Sequence, residues 1–172
     1  STQDDSAGEA FDKVAKMMDL WYPGWPIISK LASEFETDFI RSVSGAKTLF
    51  PRVWLKKQEF DFSFSGLKSA VKREVDLRWN LSLEDKREIA FEFQNAVTEV
   101  LAYKLVNAAK QKQVTTIMLA GWVSANDDLN EKISKMAEKE GFTFISPVKK
   151  LYSTDNAAMV WINAYYKIKE LL

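Results

Sequence analysis

One short run constrains this chain more than any other. Thr115–Ala120 (TTIMLA) is β-branched at its start and apolar beyond it, and such a run reads as a strand buried on both faces. Ser124 and Asn126 then open a helix to about Lys139, Gly141 ends it, and FTFIS (Phe142–Ser146) reads as a second strand. Strand, helix and strand make one βαβ unit, whose crossover is expected to be right-handed. A parallel sheet of two strands is thinly supported, because parallel sheets are usually larger and covered on both sides. The pattern therefore predicts an α/β chain, mainly helical, whose sheet is incomplete.

The remainder reads as helices. Phe11, Val14, Ala15 and Met18 recur at helical spacing from Gly8 to about Leu20, and WYPGWP (Trp21–Pro26) interrupts them with two prolines and a glycine. A short helix from Ile27 to about Phe35 follows, then a stretch to Phe60 without clean periodicity. Ser63 or Ser65 is placed to cap a helix to about Leu77. Ser82, with Asp85 three residues on, has the form of a capping box and starts the longest helix. That helix is expected to reach about Lys110 and to bury Ile89, Phe93, Val97, Val100, Leu101, Leu105 and Ala108. A last helix is expected from about Asp155 to Leu172. The mainly helical region thus covers 8–110, and the βαβ unit with its final helix covers 114–172.

Composition narrows the chemistry. The 24 basic and 24 acidic residues cancel, so the chain as a whole has no electrostatic footprint for nucleic acid. Without cysteine there is no disulfide, thiolate metal site or cysteine nucleophile, and without histidine the usual serine triad and the HExxH zinc site are excluded. Carboxylates, hydroxyls, amides, lysines and backbone groups remain. No apolar run reaches the roughly 18 residues of a membrane span. The acidic, polar start is unlike a signal peptide, so a cytoplasmic protein is expected.

Four segments carry candidate site residues: GEAFDK (Gly8–Lys13), YPGWP (Tyr22–Pro26), AGWVSAN (Ala120–Asn126) and STDNAAM (Ser153–Met159). AGWVSAN follows a strand and leads into a helix, the place where α/β folds bind nucleotides. Taken singly, Asp12 reads as a solvated helix residue, Asn126 and Asp155 as helix caps, and the PG step as a turn. Their order changes that balance.

The series DDSAGEAFDK, YPGWP, FSFSGLK, AGWVSAN and STDNAAM resembles the TsaD family, once known as O-sialoglycoprotein endopeptidases, whose pattern reads DDAAGEAFDK, YPGGP, FSFSGLK, AGGVSAN and TDNAAM. The resemblance spans essentially the whole chain. It implies the C-terminal lobe of an actin-like (sugar kinase/Hsp70 ATPase-type) fold with a helical insertion, residues 1–172 forming one truncated lobe. It also implies transfer of threonylcarbamoyl from threonylcarbamoyl-adenylate to N6 of adenosine in tRNA, by a chain that is inactive alone. By the same resemblance Asp12, Gly24, Trp25, Gly121, Trp122 and Asn126 meet substrate or nucleotide, and Asp155 is a metal ligand for iron or zinc. The implied partners are TsaB-like and TsaE-like proteins and tRNA. A non-catalytic interaction module, with helices from Gly8 to Phe35 at an interface and a possible homodimer, is the alternative reading.

Two departures stand out. The family's two metal-binding histidines and its phosphate-binding SGGHT-type loop are absent, so this chain is expected to hold no metal of its own, and Ser29 replaces an aspartate that often meets substrate. Trp25 and Trp122 replace glycines of PGG and AGG, and Trp21 and Trp161 also fall where glycine is common. Tryptophan brings roughly 150–250 Å² of surface to places where glycine lets backbone approach a ligand. A gene that uses UGA for glycine, read instead as tryptophan, accounts for all four; deliberate filling of the pocket is the rival.

Overall fold

The computed structural model of the chain describes residues 5–39, 48–52, 60–153 and 157–170. Within them the order is α1 (Ala7–Met17), α2 (Gly24–Phe39), α3 (Ser65–Arg78), α4 (Leu83–Gln111), β1 (Thr116–Met118), α5 (Asp127–Glu140), β2 (Thr143–Ile145) and α6 (Ala157–Glu170), with 3-10 turns at Trp122–Ala125 and Lys150–Ser153. The α/β, mainly helical character matches the sequence reading.

Local signals account for most boundaries. Ser6 Oγ accepts from Glu9 N at the start of α1. At α4 the capping box forms: Asp85 N donates to Ser82 Oγ at 3.1 Å and Ser82 N to Asp85 Oδ2 at 3.0 Å. Gly141 ends α5 with a φ of 75°, which glycine adopts at little cost. Two boundaries differ from expectation. α2 begins at Gly24 rather than Ile27, because Pro26 sits in the first helical turn, where its missing N–H has no partner to lose. Neither Ser63 nor Ser65 caps α3: Phe64 holds the cap position without a side-chain bond, and Ser65 is already helical.

Two apolar cores result, and α4 belongs to both. Its 29 residues span roughly 43 Å. The first half packs Ile89, Phe93 and Val97 against Phe11, Val14, Ile28, Leu67 and Val71 from α1, α2 and α3. The rings of Phe11 and Phe93 meet edge-on at 5.0 Å. The second half turns Ala102, Val106 and Ala109 toward Ile117 of β1 and Leu129 and Ile133 of α5. Leu101, Leu105 and Ala108 are therefore only partly buried, since the helix changes partners along its length.

FSFSGLK gains a physical reason here. Phe64 and Leu67 enter the first core, and Lys68 Nζ meets Asp5, which Lys13 Nζ also reaches at 2.7 Å. Those hydrogen bonds, from Lys13 first and Lys68 second, hold the Asp5 carboxyl below its ordinary value of 3.8. A carboxylate depressed in the folded state contributes stability above its unfolded value and loses it as pH falls through the lowered one. Asp5→Asn is therefore expected to melt below the wild type at neutral pH, with the gap closing below about pH 3.8; thermal melts across that range check it.

β1 and β2 pair in parallel, with Thr116 opposite Thr143, Ile117 opposite Phe144 and Met118 opposite Ile145. β1 is shorter than Thr115–Ala120, and it is buried on one face rather than two. Ile117 points at the second core, while Met118 is 69% exposed and Ile145 stands on the same open side. No described element covers that side. α6 is likewise exposed along its described side chains, including Val160, Trp161 and Ile162.

Candidate functional site

The site begins with a glycine that cannot be anything else. A Cβ on Gly24 would lie 2.6 Å from Ala15 Cβ, 2.8 Å from the Phe11 carbonyl oxygen and 2.9 Å from Asp12 Cα. The start of α2 therefore lies directly on α1. There Gly24 N donates to Asp12 Oδ1 at 2.7 Å. Asp12 is no solvated face residue: it caps a neighbouring helix across the YPG turn, whose Tyr22–Pro23 bond is cis.

The next residue, Trp25, reaches Trp122 in the turn before α5. The Trp25 and Trp122 ring centroids are 6.1 Å apart, with the planes tilted by 53°. Trp122 Cε3 also lies 3.8 Å from where a Cβ of Gly8 would stand, so the first turn of α1 closes the same space. Trp122 is delivered by Gly121, whose φ of 86° and ψ of 174° belong to a region essentially restricted to glycine. Trp25 Nε1 is buried with no hydrogen-bond partner among the described residues, a state that costs about 1–3 kcal/mol.

Asn126 closes the turn from inside. It is wholly buried; Oδ1 accepts from Leu129 N at 2.9 Å as the cap of α5, and Nδ2 donates to Gln94 Oε1 at 2.9 Å. Asn130 Nδ2 donates to the backbone oxygens of Ser124 and Asn126. Ser124 Oγ donates to the Gly121 oxygen at 2.6 Å and lies 2.8 Å from Ser153 Oγ. The start of STDNAAM is thereby held against AGWVSAN. Asp155 lies outside the described residues.

Trp25, Ser29, Gln94, Asp127 and Asp128 line one cleft of about 530 Å³ between α2, α4 and α5. Beneath it the Thr98 hydroxyl lies 2.5 Å from Asp128 Oδ2 and accepts from Lys132 Nζ at 2.9 Å. The structure thus gathers these residues in pairs, Asp12 with Gly24, Trp25 with Trp122 and Asn126 with Gln94, and Trp25 and Gln94 line the cleft itself. Gln94, Ser124 and Ser153 were not anticipated. Gln94 and Thr98 could have been: both are polar residues set among the apolar Phe93 and Val97 of α4, one turn apart.

Comparison with known proteins follows the same residues. The family model for TsaD, tRNA N6-adenosine threonylcarbamoyltransferase, matches residues 1–161. The chain belongs to the TsaD family. Proteins named tRNA N6-adenosine threonylcarbamoyltransferase from Staphylococcus haemolyticus, Desulfotalea psychrophila and Moorella thermoacetica are 42%, 44% and 44% identical to it. The alignments cover 96%, 96% and 97% of this chain and 46%, 47% and 46% of those relatives, so the chain spans about half their length.

The donor set does not fit an iron or zinc centre of the kind the resemblance implies. The chain has neither histidine nor cysteine, and no group of three or more potential ligands occurs among the described residues. Asp155 alone supplies one carboxylate, too little for useful affinity. Calorimetry of this chain with iron(II) and with zinc is expected to show no tight one-to-one site; a stoichiometric heat of binding would overturn that.

Proposed function

We propose that this chain is part of a tRNA N6-adenosine threonylcarbamoyltransferase and supplies the nucleoside-facing wall of its site. In the reaction proposed, N6 of a tRNA adenosine attacks the carbamoyl carbon of threonylcarbamoyl-adenylate. A carbon–nitrogen bond forms, the bond from that carbon to the phosphate oxygen breaks, AMP leaves with the electron pair, and N6 gives up a proton. The linked contacts of Asp12 with Gly24, Trp25 with Trp122 and Asn126 with Gln94 at one cleft carry this reading. Their roles are steric and positional: Asp12 holds the first turn of α2 in place, and Asn126 with Gln94 fixes the turn beside the cleft. No step is assigned to a metal here.

The chain alone is proposed to be inactive, to act in the cytoplasm, and to work with tRNA and with TsaB-like and TsaE-like proteins. The whole protein encoded by its gene, carrying Trp25→Gly and Trp122→Gly and supplied with TsaB-like and TsaE-like proteins, threonylcarbamoyl-adenylate and unmodified tRNA, is expected to form threonylcarbamoyladenosine, read by mass spectrometry of tRNA nucleosides. Asp12→Ala in that protein is expected to lower kcat/KM by roughly 100-fold, because a displaced α2 misplaces the wall. No product from the whole protein under those conditions would sink the proposal.

A second reading, a protein-interaction or dimerisation module, draws on the exposed apolar side chains of α6. It does not draw on α1 and α2, whose apolar stripes lie in the first core. For the tryptophans we propose UGA recoding, and UGG in the source gene at the codons for Trp21, Trp25, Trp122 and Trp161 would remove it.

A further inference from the structure

We infer that the hollow between the start of α2 and the Gly121 turn is occupied by the protein's own side chains: the Trp25–Trp122 pair fills the space for a planar bicyclic ring, so that a purine nucleoside is excluded until one of the two aromatic rings is removed. This rests on the reading of the hollow as a nucleoside site. Three independent features point to it. The two indoles arrive from segments nearly a hundred residues apart and meet at 6.1 Å, Trp25 at the edge of the first core. Trp122 is placed by a backbone conformation that only Gly121 makes accessible, and its ring lies beside the first turn of α1 at Gly8. Trp25 Nε1 is buried with no acceptor among the described residues, on a ring that is half-buried as a whole, so its surroundings do not complement its polar atom.

Complementarity is the informative point. A side chain that belongs to a core finds a partner for its polar atom when buried. Here the fit is one of shape alone. Indole and purine are both flat, fused five- and six-membered rings, so a space that holds the first has the outline of the second. The neighbouring cleft, which Trp25 also lines, has Ser29, Gln94 and Asp128 on its walls and so carries hydroxyl, amide and carboxylate groups.

The test uses the 172-residue chain in three forms: wild type, Trp122→Gly and Trp122→Ala, each checked by thermal melting for a folded state. Titration with indole and, separately, with adenosine is followed by calorimetry. Removing the Trp122 side chain is expected to leave an apolar slot that takes up free indole, as fitted apolar cavities do. Adenosine is expected to bind the variants on the order of 10-fold or more tightly than the wild type, the scale of one base stacked on an aromatic face.

Wild type that binds adenosine as tightly as the folded variants overturns the self-occupied hollow and leaves the transferase reading standing. Variants that take indole but not adenosine uphold the filling of the hollow and overturn its reading as a nucleoside site. A folded variant that binds neither overturns the inference, because the space then has no persistent shape. Trp25→Phe, which keeps a ring and removes the unpaired donor, is expected to melt no lower than the wild type and still to exclude adenosine; a Trp25→Phe protein that binds adenosine overturns the inference too.

Discussion

Gly24→Ala is expected to lower the melting temperature by roughly 6–12 °C, the consequence of about 3 kcal/mol of overpacking in a chain of this size. The added methyl would stand 2.6 Å from Ala15 Cβ and 2.8 Å from the Phe11 carbonyl oxygen, and neither can swing aside, since one is a methyl on a helix and the other is backbone. Relief requires α2 to move off α1. That movement also stretches the 2.7 Å bond from Gly24 N to Asp12 and loosens the contacts of Ile28 with the first core. The substitution should therefore act on stability and on the site together. Gly66→Ala is the matching control. It lies in α3 with nothing within 4 Å of the new methyl, so it should be neutral or stabilising by up to about 1 kcal/mol. Equal melting of the two variants would show that the close approach of α1 and α2 is not as described.

Asn126→Ala is expected to cost about 2–4 kcal/mol, from two causes that can be separated. Loss of the α5 cap accounts for about 1 kcal/mol. Leaving the buried Gln94 Oε1 without its donor adds about 1–3 kcal/mol. Gln94→Leu removes the acceptor, so in the double variant the second cost disappears. A double-mutant cycle read by urea denaturation should accordingly give a coupling of at least about 1 kcal/mol between positions 94 and 126. Simple additivity would mean that the 2.9 Å bond contributes nothing. The turn Gly121–Asn126 depends on this pair, so the same cycle measures how firmly the wall of the hollow is held.

Those two residues also show how far the sequence could be read. Asn126 as a helix cap was legible, because a cap is a bond to the residue three further on and leaves its mark in the local sequence. The Ser82–Asp85 capping box, the Gly141 stop and the apolar stripe of α1 were legible for the same reason. The partnership of Asn126 with Gln94 was not, for it joins residues 32 positions apart. The turn at WYPGWP was read as a break, yet Pro26 lies inside α2, because the cap that starts the helix comes from Asp12 on another helix. β1 was read as covered on both faces from its apolar run; alternation turns Met118 away from the core that Ile117 enters.

By itself, then, the sequence determined where helices start and stop, that one βαβ unit closes the chain, which chemistries are impossible without histidine or cysteine, and, through five ordered motifs, the family. These are matters of composition and of contacts within a few residues. Only the tertiary structure decided which polar groups face inward, that Trp25 and Trp122 meet across one hollow, and that one side of the sheet stands open. Such outcomes depend on how helices far apart in the chain come to rest on one another, and packing at that range is set by the fit of whole surfaces, which no short stretch of residues encodes.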